Sequence, residues 1–487
     1  MNIRVRALET NHVRPEIIPT GPPSDHGPIR LSLFDTLFLS LPPIQRLFFY
    51  DGEDLPPFPA LVRSLRSSLA ATLTVFTPLA GKLAACTDGD VAIECSPDAV
   101  RPGVRFVVAQ YSGDASDMRP LARDAEHDTE AFLQLVPELE VRRLPAPVLA
   151  VQVTRPAPAG RGDDGGAGAV AVGVSMHHAV ADGQSLWQFM RAWATASRDG
   201  SLALAGLVPP PMFDRAGILR HPKAEAATRQ FARLSAPDLP TVNTLTEPDW
   251  TRQSRRTYLL TASQIQSLKR RILQQSDKDQ PPEPPTTFIA IASLLWTSFA
   301  RAKHPNHGAT DDEDVYFLFP ADCRRRLRRP LDPGFFGNCV KLCYARAKTG
   351  DLCGHDDGAA LARAAAAVRR AIREHVEEED PLGDADRWAE TIRGVPRDRL
   401  ARQGSSHRFM AYEVDFGVGG AKPSGDRVDA QRGGGSDAGG SARRHGAGVR
   451  GAWPGARGRL RGQLPSHKSL TCNWWYAIFR CRVGISF

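Results

Sequence analysis

The sequence Met-His-His-Ala-Val-Ala-Asp-Gly at residues 176–183 lies where an apolar strand is predicted to give way to a helix. Residues 169–176 alternate larger and smaller apolar side chains, and one parity of this alternation ends at His178. Downstream, apolar side chains recur at helical spacing at Leu186, Phe189, Met190 and Trp193. An imidazole at a strand end can take a proton from a hydroxyl near neutral pH, so His178 is a candidate general base.

The spacing of the histidine motif does not by itself distinguish a catalytic role from a structural one. A histidine followed four residues later by Asp182 and then by Gly183 is equally consistent with a structural histidine pair beside a turn. His177 has the opposite strand parity to His178, so it is predicted to point elsewhere. Other parts of the chain must therefore decide between the two interpretations.

The 487 residues are enough for two or three domains, and 42% apolar residues suffice for packed cores. No apolar run approaches the length of a membrane span, and the first residues lack the apolar region of a signal peptide. The eight cysteines are scattered without a Cys-x-x-Cys pair, which argues against a zinc ribbon or a disulfide framework. A reducing, cytoplasmic location is expected.

The net charge of +8 does not indicate a nucleic-acid partner. Residues 425–487 contain 11 Lys and Arg and 3 Asp and Glu, which accounts for the whole excess. Residues 1–424 are consequently neutral overall, with 51 basic and 51 acidic side chains. An argument from charge to partner can concern only the C-terminal segment.

Further short motifs follow along the chain. Leu-Ser-Leu-Phe-Asp ends at Asp35, and an Asp-Arg pair ends at Arg215. An Asp-Cys-Arg sequence ends at Arg324, and Phe-Gly-Asn-Cys follows with Asn338. Near the end stands a glycine-rich sequence composed of Asp415, Phe416, Gly417, Val418 and Gly419. No Gly-Lys-Ser/Thr pattern follows it, so a phosphate-binding loop is not indicated.

Together with the histidine motif, these sequences resemble the plant BAHD acyltransferases over about residues 1–423. That family transfers an acyl group from coenzyme A to an alcohol or amine. The Asn-Cys variant at 338–339 is similar to the clade that acts on flavonoid and anthocyanin glycosides. The chain departs from the family at Val418, where the family has tryptophan, and at Gly420 and Ala421, which add residues before Lys-Pro.

The resemblance implies an α/β fold of two chloramphenicol-acetyltransferase-like domains, each a mixed sheet with helices, and an active-site channel between them. We place the N-terminal domain at 1–200, a crossover at 201–250 and an incomplete C-terminal domain at 251–423. The order of predicted elements agrees with the α/β class. Helices are predicted over 60–76, 130–135, 262–274, 286–300 and 358–380, and strands over 91–95, 104–109, 148–154, 169–178, 255–261 and 315–319.

The resemblance also implies roles for the site residues. His178 takes the proton from a hydroxyl, whose oxygen attacks the thioester carbonyl of acyl-CoA. Asp182 turns away from the substrate and pairs with an arginine, so it supports His178 structurally. A second ion pair is expected between Asp415 and Arg324, with Arg326 as the other choice. The remaining motif and scaffold residues are Gly183, Asn338, Phe416, Gly417 and Gly419.

The expected co-substrate is an acyl-CoA carrying a malonyl or hydroxycinnamoyl group, and the expected acceptor is a phenolic or flavonoid glycoside. No cofactor, metal, nucleic acid or membrane partner is expected, and the enzyme is expected to be a monomer. The cysteines are poor candidates for a nucleophile, since none stands near a His/Asp constellation.

Residues 424–487 break the pattern. Residues 425–462 contain 12 Gly and 8 Arg and show no apolar periodicity. This composition buries too little apolar surface to offset the entropy of ordering, so the segment is predicted to be disordered. We interpret it as the product of a shifted reading frame or a retained intron; a genuine lineage-specific tail is the alternative.

Two other functions stay open at this point. The chain could be a truncated or folding-defective paralogue without activity. It could also be a condensation-domain-like enzyme that forms amides or esters, because peptide-synthetase condensation domains share the His-His-x-x-x-Asp-Gly motif. The lack of neighbouring carrier or adenylation domains and the Asp-Phe-Gly sequence at 415–417 argue against the latter.

Overall fold

The computed structural model describes residues 3–16, 27–52, 55–124, 126–158, 168–207, 209–244, 255–276, 283–304, 311–377, 380–404, 406, 409, 414–418 and 478–482. In chain order, the first part contains β1 (Val5–Val13), β2 (Ile29–Arg30), α1 (Leu33–Thr36), β3 (Ile44–Gly52), α2 (Phe58–Val75), β4 (Lys82–Ala85), β5 (Val91–Glu94), α3 (Pro97–Val100), β6 (Val104–Tyr111), α4 (Ala115–Arg123), β7 (Glu126–His127), α5 (Thr129–Gln134), β8 (Ala146–Pro147), β9 (Leu149–Arg155), β10 (Gly168–Met176) and α6 (Gly183–Asp199). The remainder contains α7 (Ala216–Leu219), α8 (Ala224–Ser235), β11 (Arg255–Thr261), α9 (Ala262–Gln274), α10 (Thr287–Lys303), β12 (Asp314–Asp322), β13 (Val340–Lys348), α11 (Thr349–Cys353), α12 (Asp357–Ile372), α13 (Trp388–Gly394), β14 (Leu400–Arg402) and β15 (Ile478–Arg482).

The main sheet of the N-terminal part has the strand order β1-β6-β9-β10-β3. It is mixed, because β6 and β9 are parallel while the other neighbours are antiparallel. Every residue of β10 is buried, since elements cover both faces of the sheet. Gly173 allows the segment at Leu135 to pack closely on β10, because a Cβ at this position would lie 2.3 Å from the carbonyl oxygen of Leu135. The sheet therefore holds the end of β10, from which the histidine motif continues, inside the core.

A smaller sheet, β2-β5-β4-β8, lies in the same part of the chain. In the C-terminal part, β13 and β12 are antiparallel and β14 is parallel to β12. Helices α10 and α12 pack on each other and on this sheet through alanines and larger apolar residues. The fold is thus α/β with mixed sheets and helices, as predicted.

The hydrophobic core has two main clusters, and each includes residues from the other end of the chain. The cluster around β10, α2 and α6 takes in Val414, Phe416 and Val418. The cluster around β12, α10 and α12 takes in Leu33 and Phe34 of α1. The two parts of the chain are consequently tied together by exchanged apolar side chains as well as by the polar contacts described below. The exact domain boundaries stay predictions.

Most predicted elements are confirmed within a few residues, including α2, α5, α9, α10 and β12. Strand β1 was not predicted, because most of its side chains are exposed and show no alternation of apolar and polar residues. The irregular crossover predicted over 201–250 contains α8, which was missed because short Ala and Thr side chains form much of its buried face. The predicted helix at 358–380 ends its α-helical turns at Ile372.

One part of the predicted disordered segment is ordered. Residues Ile478–Arg482 form β15, which pairs in parallel with β11 from Thr257 to Thr261. The prediction of disorder over the whole of 424–487 is therefore wrong at this strand. Strand β15 can form because β11 pairs with β7 at only two residues. The backbone groups further along β11 can therefore accept another strand. The rest of the segment, with Gly419, lies outside the described residues.

Candidate active site

His178 lies in the turn between β10 and α6, where residues from both ends of the chain hold it. Its ring stacks on Phe38, with ring centroids 4.3 Å apart and planes 5° from parallel. The Nδ2 of Asn338 donates to the carbonyl oxygen of His178 at 2.9 Å. The ring and the backbone of His178 are thus positioned by separate contacts, one from each part of the chain.

The surroundings keep the His178 imidazole neutral. Although part of the residue is exposed, dense packing around the ring disfavours the charged form and lowers its pKa to about 4. The carboxylate of Asp182 raises the pKa, and the guanidinium of Arg46 lowers it. Near pH 7 the ring is in the form that can accept a proton, which is the form a general base requires.

Asp182 forms the N-cap of α6 and is almost completely buried. Its Oδ1 accepts from the backbone N–H of Ser185 at 3.0 Å, and its Oδ2 accepts from the backbone N–H of Cys339 at 3.0 Å. Arg324 donates to both carboxylate oxygens, at 2.9 and 3.0 Å. Burial alone would raise the pKa of Asp182, but the charge and hydrogen bonds of Arg324 outweigh it and lower the pKa. The pair fixes the turn that carries His178.

Arg324 is the arginine partner that Asp182 was predicted to have. Its position also shows that the predicted ion pair between Arg324 and Asp415 is wrong. Its guanidinium also donates to the Ser185 hydroxyl at 3.0 Å and to the Gly337 carbonyl at 2.9 Å. The expected ion pair of Asp415 with Arg324 or Arg326 is not formed. Arg324 is buried with its donors used at Asp182, whereas Arg326 donates to the carbonyl of Asp322 at 2.6 Å.

Asp415 instead acts within its own turn. Its Oδ1 accepts from the backbone N–H of Gly417 at 2.9 Å, and its carbonyl accepts from Arg198 at 3.4 Å. Gly417 has a φ of +68°, and a Cβ there would lie 2.9 Å from the Cα of Arg198. A glycine is therefore required at this position both by the backbone conformation and by the close approach to α6.

Phe416 is the buried anchor of the same turn. Its ring makes edge contacts with Phe48, Tyr50 and Trp193, and its carbonyl accepts from the Ser197 hydroxyl at 2.9 Å. These contacts support its predicted scaffold role, because they join the glycine-rich sequence to β3 and α6. Gly183 is a close-packing position as well, since a Cβ there would lie 2.5 Å from the ring of Phe409.

A second buried network was not predicted as a unit. Asp35 accepts from the backbone and side-chain N–H groups of Asn338 at 3.0 and 3.1 Å, and its other oxygen is 3.3 Å from Nε of Arg215. Arg215 also donates to the carbonyl of Phe336 at 2.7 Å. Because Asn338 in turn holds the His178 carbonyl, this network supports the site. Each of its residues lies in a motif visible in the sequence, but nothing there links positions 35, 215 and 338.

The other candidate groups are less suited to chemistry. His177 is fully buried, which lowers its pKa to about 3, and its Nδ1 accepts from the backbone N–H of Ala179 at 3.2 Å. Burial raises the pKa of the thiols of Cys323, Cys339 and Cys343, so they are poor nucleophiles.

Within the described ranges, no three His, Cys, Asp or Glu side chains are grouped as a metal site would require. In the same ranges, each helix is too short or too polar to cross a membrane.

Comparisons with known proteins bear on the family and the fold of the chain. A sequence model of the Transferase family matches residues 9–435, which extends past the boundary predicted at 424. The chain is 30% identical to phenolic glucoside malonyltransferase 1 of Bemisia tabaci, over 83% of this chain and 85% of that protein. It is 32% identical to the malonyl-CoA:anthocyanidin 5-O-glucoside-6''-O-malonyltransferase of Arabidopsis thaliana, over 67% of this chain and 68% of that protein. Among solved structures, vinorine synthase superposes with a TM-score of 0.60 at 19% identity, covering 86% of this chain and 87% of the other.

Proposed function

The chain belongs to the Transferase family of BAHD acyltransferases, and from this premise we propose that it transfers an acyl group from coenzyme A to a hydroxyl of a phenolic or flavonoid glycoside, with His178 as the general base. The observation that carries the proposal is the neutral imidazole of His178, held in a turn by Phe38, Asn338 and the Asp182–Arg324 pair.

The proposed reaction is a direct transfer. His178 accepts the proton of the acceptor hydroxyl as the oxygen attacks the thioester carbonyl. The tetrahedral intermediate then expels the coenzyme A thiolate, and this thiolate accepts the proton from the imidazolium. No acyl-enzyme is needed, because binding both substrates beside one base removes most of the entropy of bringing them together. Asp182 has a structural part, since donors from Ser185, Cys339 and Arg324 occupy both of its oxygens.

The proposed substrates are inferred from the names of the relatives. The names of two of them specify malonyl transfer to a phenolic glucoside and to an anthocyanidin glucoside, and another relative is named for coumaroyl transfer. We therefore propose a malonyl or hydroxycinnamoyl donor, with acyl-CoA as co-substrate and no further cofactor. The proposed enzyme is a cytoplasmic monomer.

The test is an assay of free thiol released from malonyl-CoA and coumaroyl-CoA, with and without a phenolic glucoside, and with no carrier protein. His178→Ala should reduce turnover by about 10²- to 10⁴-fold, the usual effect of losing a general base. His177→Ala is the matched control and should have a much smaller effect. A loss of less than tenfold in a folded His178→Ala variant would refute the assigned role.

The C-terminal segment bears on how active the enzyme is. We propose that residues from about 424 arise from a shifted reading frame or a retained intron, because the composition of 425–462 changes abruptly to Gly and Arg. Translating the transcript in the other frames, or with the segment spliced out, should restore alternating strands and a closing helix. If no such reading restores them, the segment is a genuine tail. Impaired activity of the present chain is the expected consequence of the altered segment.

A further inference from the structure

We infer that Phe335 is a positioning residue for the base, because its ring contacts the arginines of both buried ion pairs that support the site. Phe335 directly precedes the Phe-Gly-Asn-Cys sequence and is not one of the motif residues identified above. The inference rests on the proposed acyl transfer and on the role of His178 as its base. It joins the two ion pairs into one unit that holds His178.

Two guanidinium groups lie over the ring of Phe335. The Cζ atoms of Arg215 and Arg324 are each 5.4 Å from the ring centroid. Phe335 is 3% exposed, and the side chains of both arginines are 5% exposed or less. Water is therefore largely excluded from both contacts, and a cation and an aromatic face attract each other most strongly under this condition.

Each guanidinium also has a buried nitrogen without a hydrogen-bond partner among the described residues. These atoms are Nη2 of Arg215 and Nε of Arg324. A buried N–H group without a partner is costly, and the electron-rich face of an aromatic ring can accept from an N–H group in place of an oxygen. Phe335 supplies such a face to both guanidinium groups.

The ring also lies next to two like charges. Because the Cζ atoms of Arg215 and Arg324 are equally far from one ring centroid, they are at most twice that distance from each other. Like charges at such separations repel each other more strongly where water is excluded. The negative face of the Phe335 ring offsets part of this repulsion, so its removal should weaken both ion pairs together.

The two ion pairs reach His178 by different routes. One pair holds Asp182, which caps α6 directly after the turn that carries the base. The other pair holds Asp35, whose carboxylate accepts from Asn338, and Asn338 donates to the carbonyl oxygen of His178. A ring that contacts the arginine of each pair therefore acts on the position of the base through both routes.

The first test removes the ring but keeps an apolar side chain. Phe335→Leu should lower kcat with malonyl-CoA and a phenolic glucoside by about 10- to 100-fold, because a displaced base reduces turnover, and should change KM less than about threefold.

Phe317→Leu is the matched control. Phe317 is buried in the same core cluster, and its described ring contacts are with Trp296 and Phe319. This variant loses a similar volume of side chain but should change kcat less than about threefold. Equal losses of kcat in the two variants would show that Phe335 only fills the core, and would overturn the inference.

The second test changes the charge of the ring face and leaves its shape almost unchanged. Fluorine atoms withdraw electrons from the face of a phenylalanine ring, which weakens its attraction for a cation. Replacing Phe335 by mono-, di- and trifluorophenylalanine should lower both the urea midpoint of unfolding and kcat in steps. The same series at Phe317 should lower neither. A Phe335 series without steps, a fall in stability without a fall in kcat, or equal steps at both positions would contradict the inference.

The ring resonance of His178 reports the position of the base without any turnover. Phe38 stacks on this imidazole, so a change in their separation moves the ring-proton resonance, which is identified by its loss in His178→Ala. The resonance should move in steps through the fluorinated Phe335 series and stay fixed through the Phe317 series. If the unmodified chain releases no thiol from malonyl-CoA, the proposed function fails, while this measurement still decides the positioning role. Stepwise movement supports that role, and a fixed resonance overturns it.

Discussion

Asp182 and Asp415 each lie close to a glycine in the sequence, but their carboxylates differ in burial and in hydrogen-bond partners. Asp182 is 3% exposed, and its carboxylate receives hydrogen bonds from Arg324 and from two backbone N–H groups. The carboxylate of Asp415 is only partly buried and accepts from the N–H of Gly417 in its own turn. A buried charge requires a charged partner, whereas a partly exposed one can remain hydrated. The comparison separates an aspartate that joins two parts of the chain from one that shapes a local turn.

The largest contrast is expected on removing the two carboxylates. Asp182→Ala leaves Arg324 buried without its main partner, and breaking a buried pair in this way costs about 3–5 kcal/mol. Turnover should fall as well, because the turn carrying His178 loosens. Asp415→Ala should change the free energy of unfolding by no more than about 0.5 kcal/mol. Urea unfolding of both variants measures the difference, and similar losses in the two would refute the distinction.

The buried network of Asp35, Arg215 and Asn338 also joins distant parts of the chain, so it tests the same comparison. Asn338→Ala removes hydrogen bonds to Asp35 and to the His178 carbonyl, so it should destabilise the fold by about 1–3 kcal/mol. As a positioning residue, Asn338 should affect kcat by about 10- to 100-fold with little change in KM. The exposed Asn243→Ala is the control. An unchanged kcat in Asn338→Ala would mean that Phe38 and the Asp182–Arg324 pair suffice to hold the base.

A smaller effect is expected in the glycine-rich turn. Gly417→Ala places a side chain at a φ of +68° and close to the backbone of Arg198, which should cost about 1–2 kcal/mol. Gly394→Ala is the control, because a Cβ there meets nothing within 4 Å. Thermal unfolding distinguishes them. Equal melting temperatures would show that the turn can shift away from α6, and that Phe416 alone anchors it.

The sequence predicted the α/β class and the turn that contains His178 because both depend on local periodicity, whereas the two-domain arrangement came from the family resemblance. The burial of β10 and the helical spacing after it place the turn directly. Which charges meet could not be predicted, because it depends on contacts between residues far apart in the chain. Arg324 could have paired with either aspartate, and only the packing of the segment containing Cys339 against the N-cap of α6 selects Asp182.

The same limit explains the missed elements. Strand β1 is largely exposed and carries no clear alternation, and α8 buries small side chains that give little hydrophobic signal.

The measurement that tests the central claim most directly is the pH dependence of kcat/KM for acyl transfer. His178 acts only when unprotonated, so activity is lost as pH falls through its pKa, which burial lowers to about 4. We predict a constant kcat/KM from about pH 8 down to about pH 5.5 and a decline at lower pH, with circular dichroism confirming that the protein stays folded. A half-maximal value near pH 6.5, the pKa of an unperturbed imidazole, would contradict a base kept neutral by its buried turn.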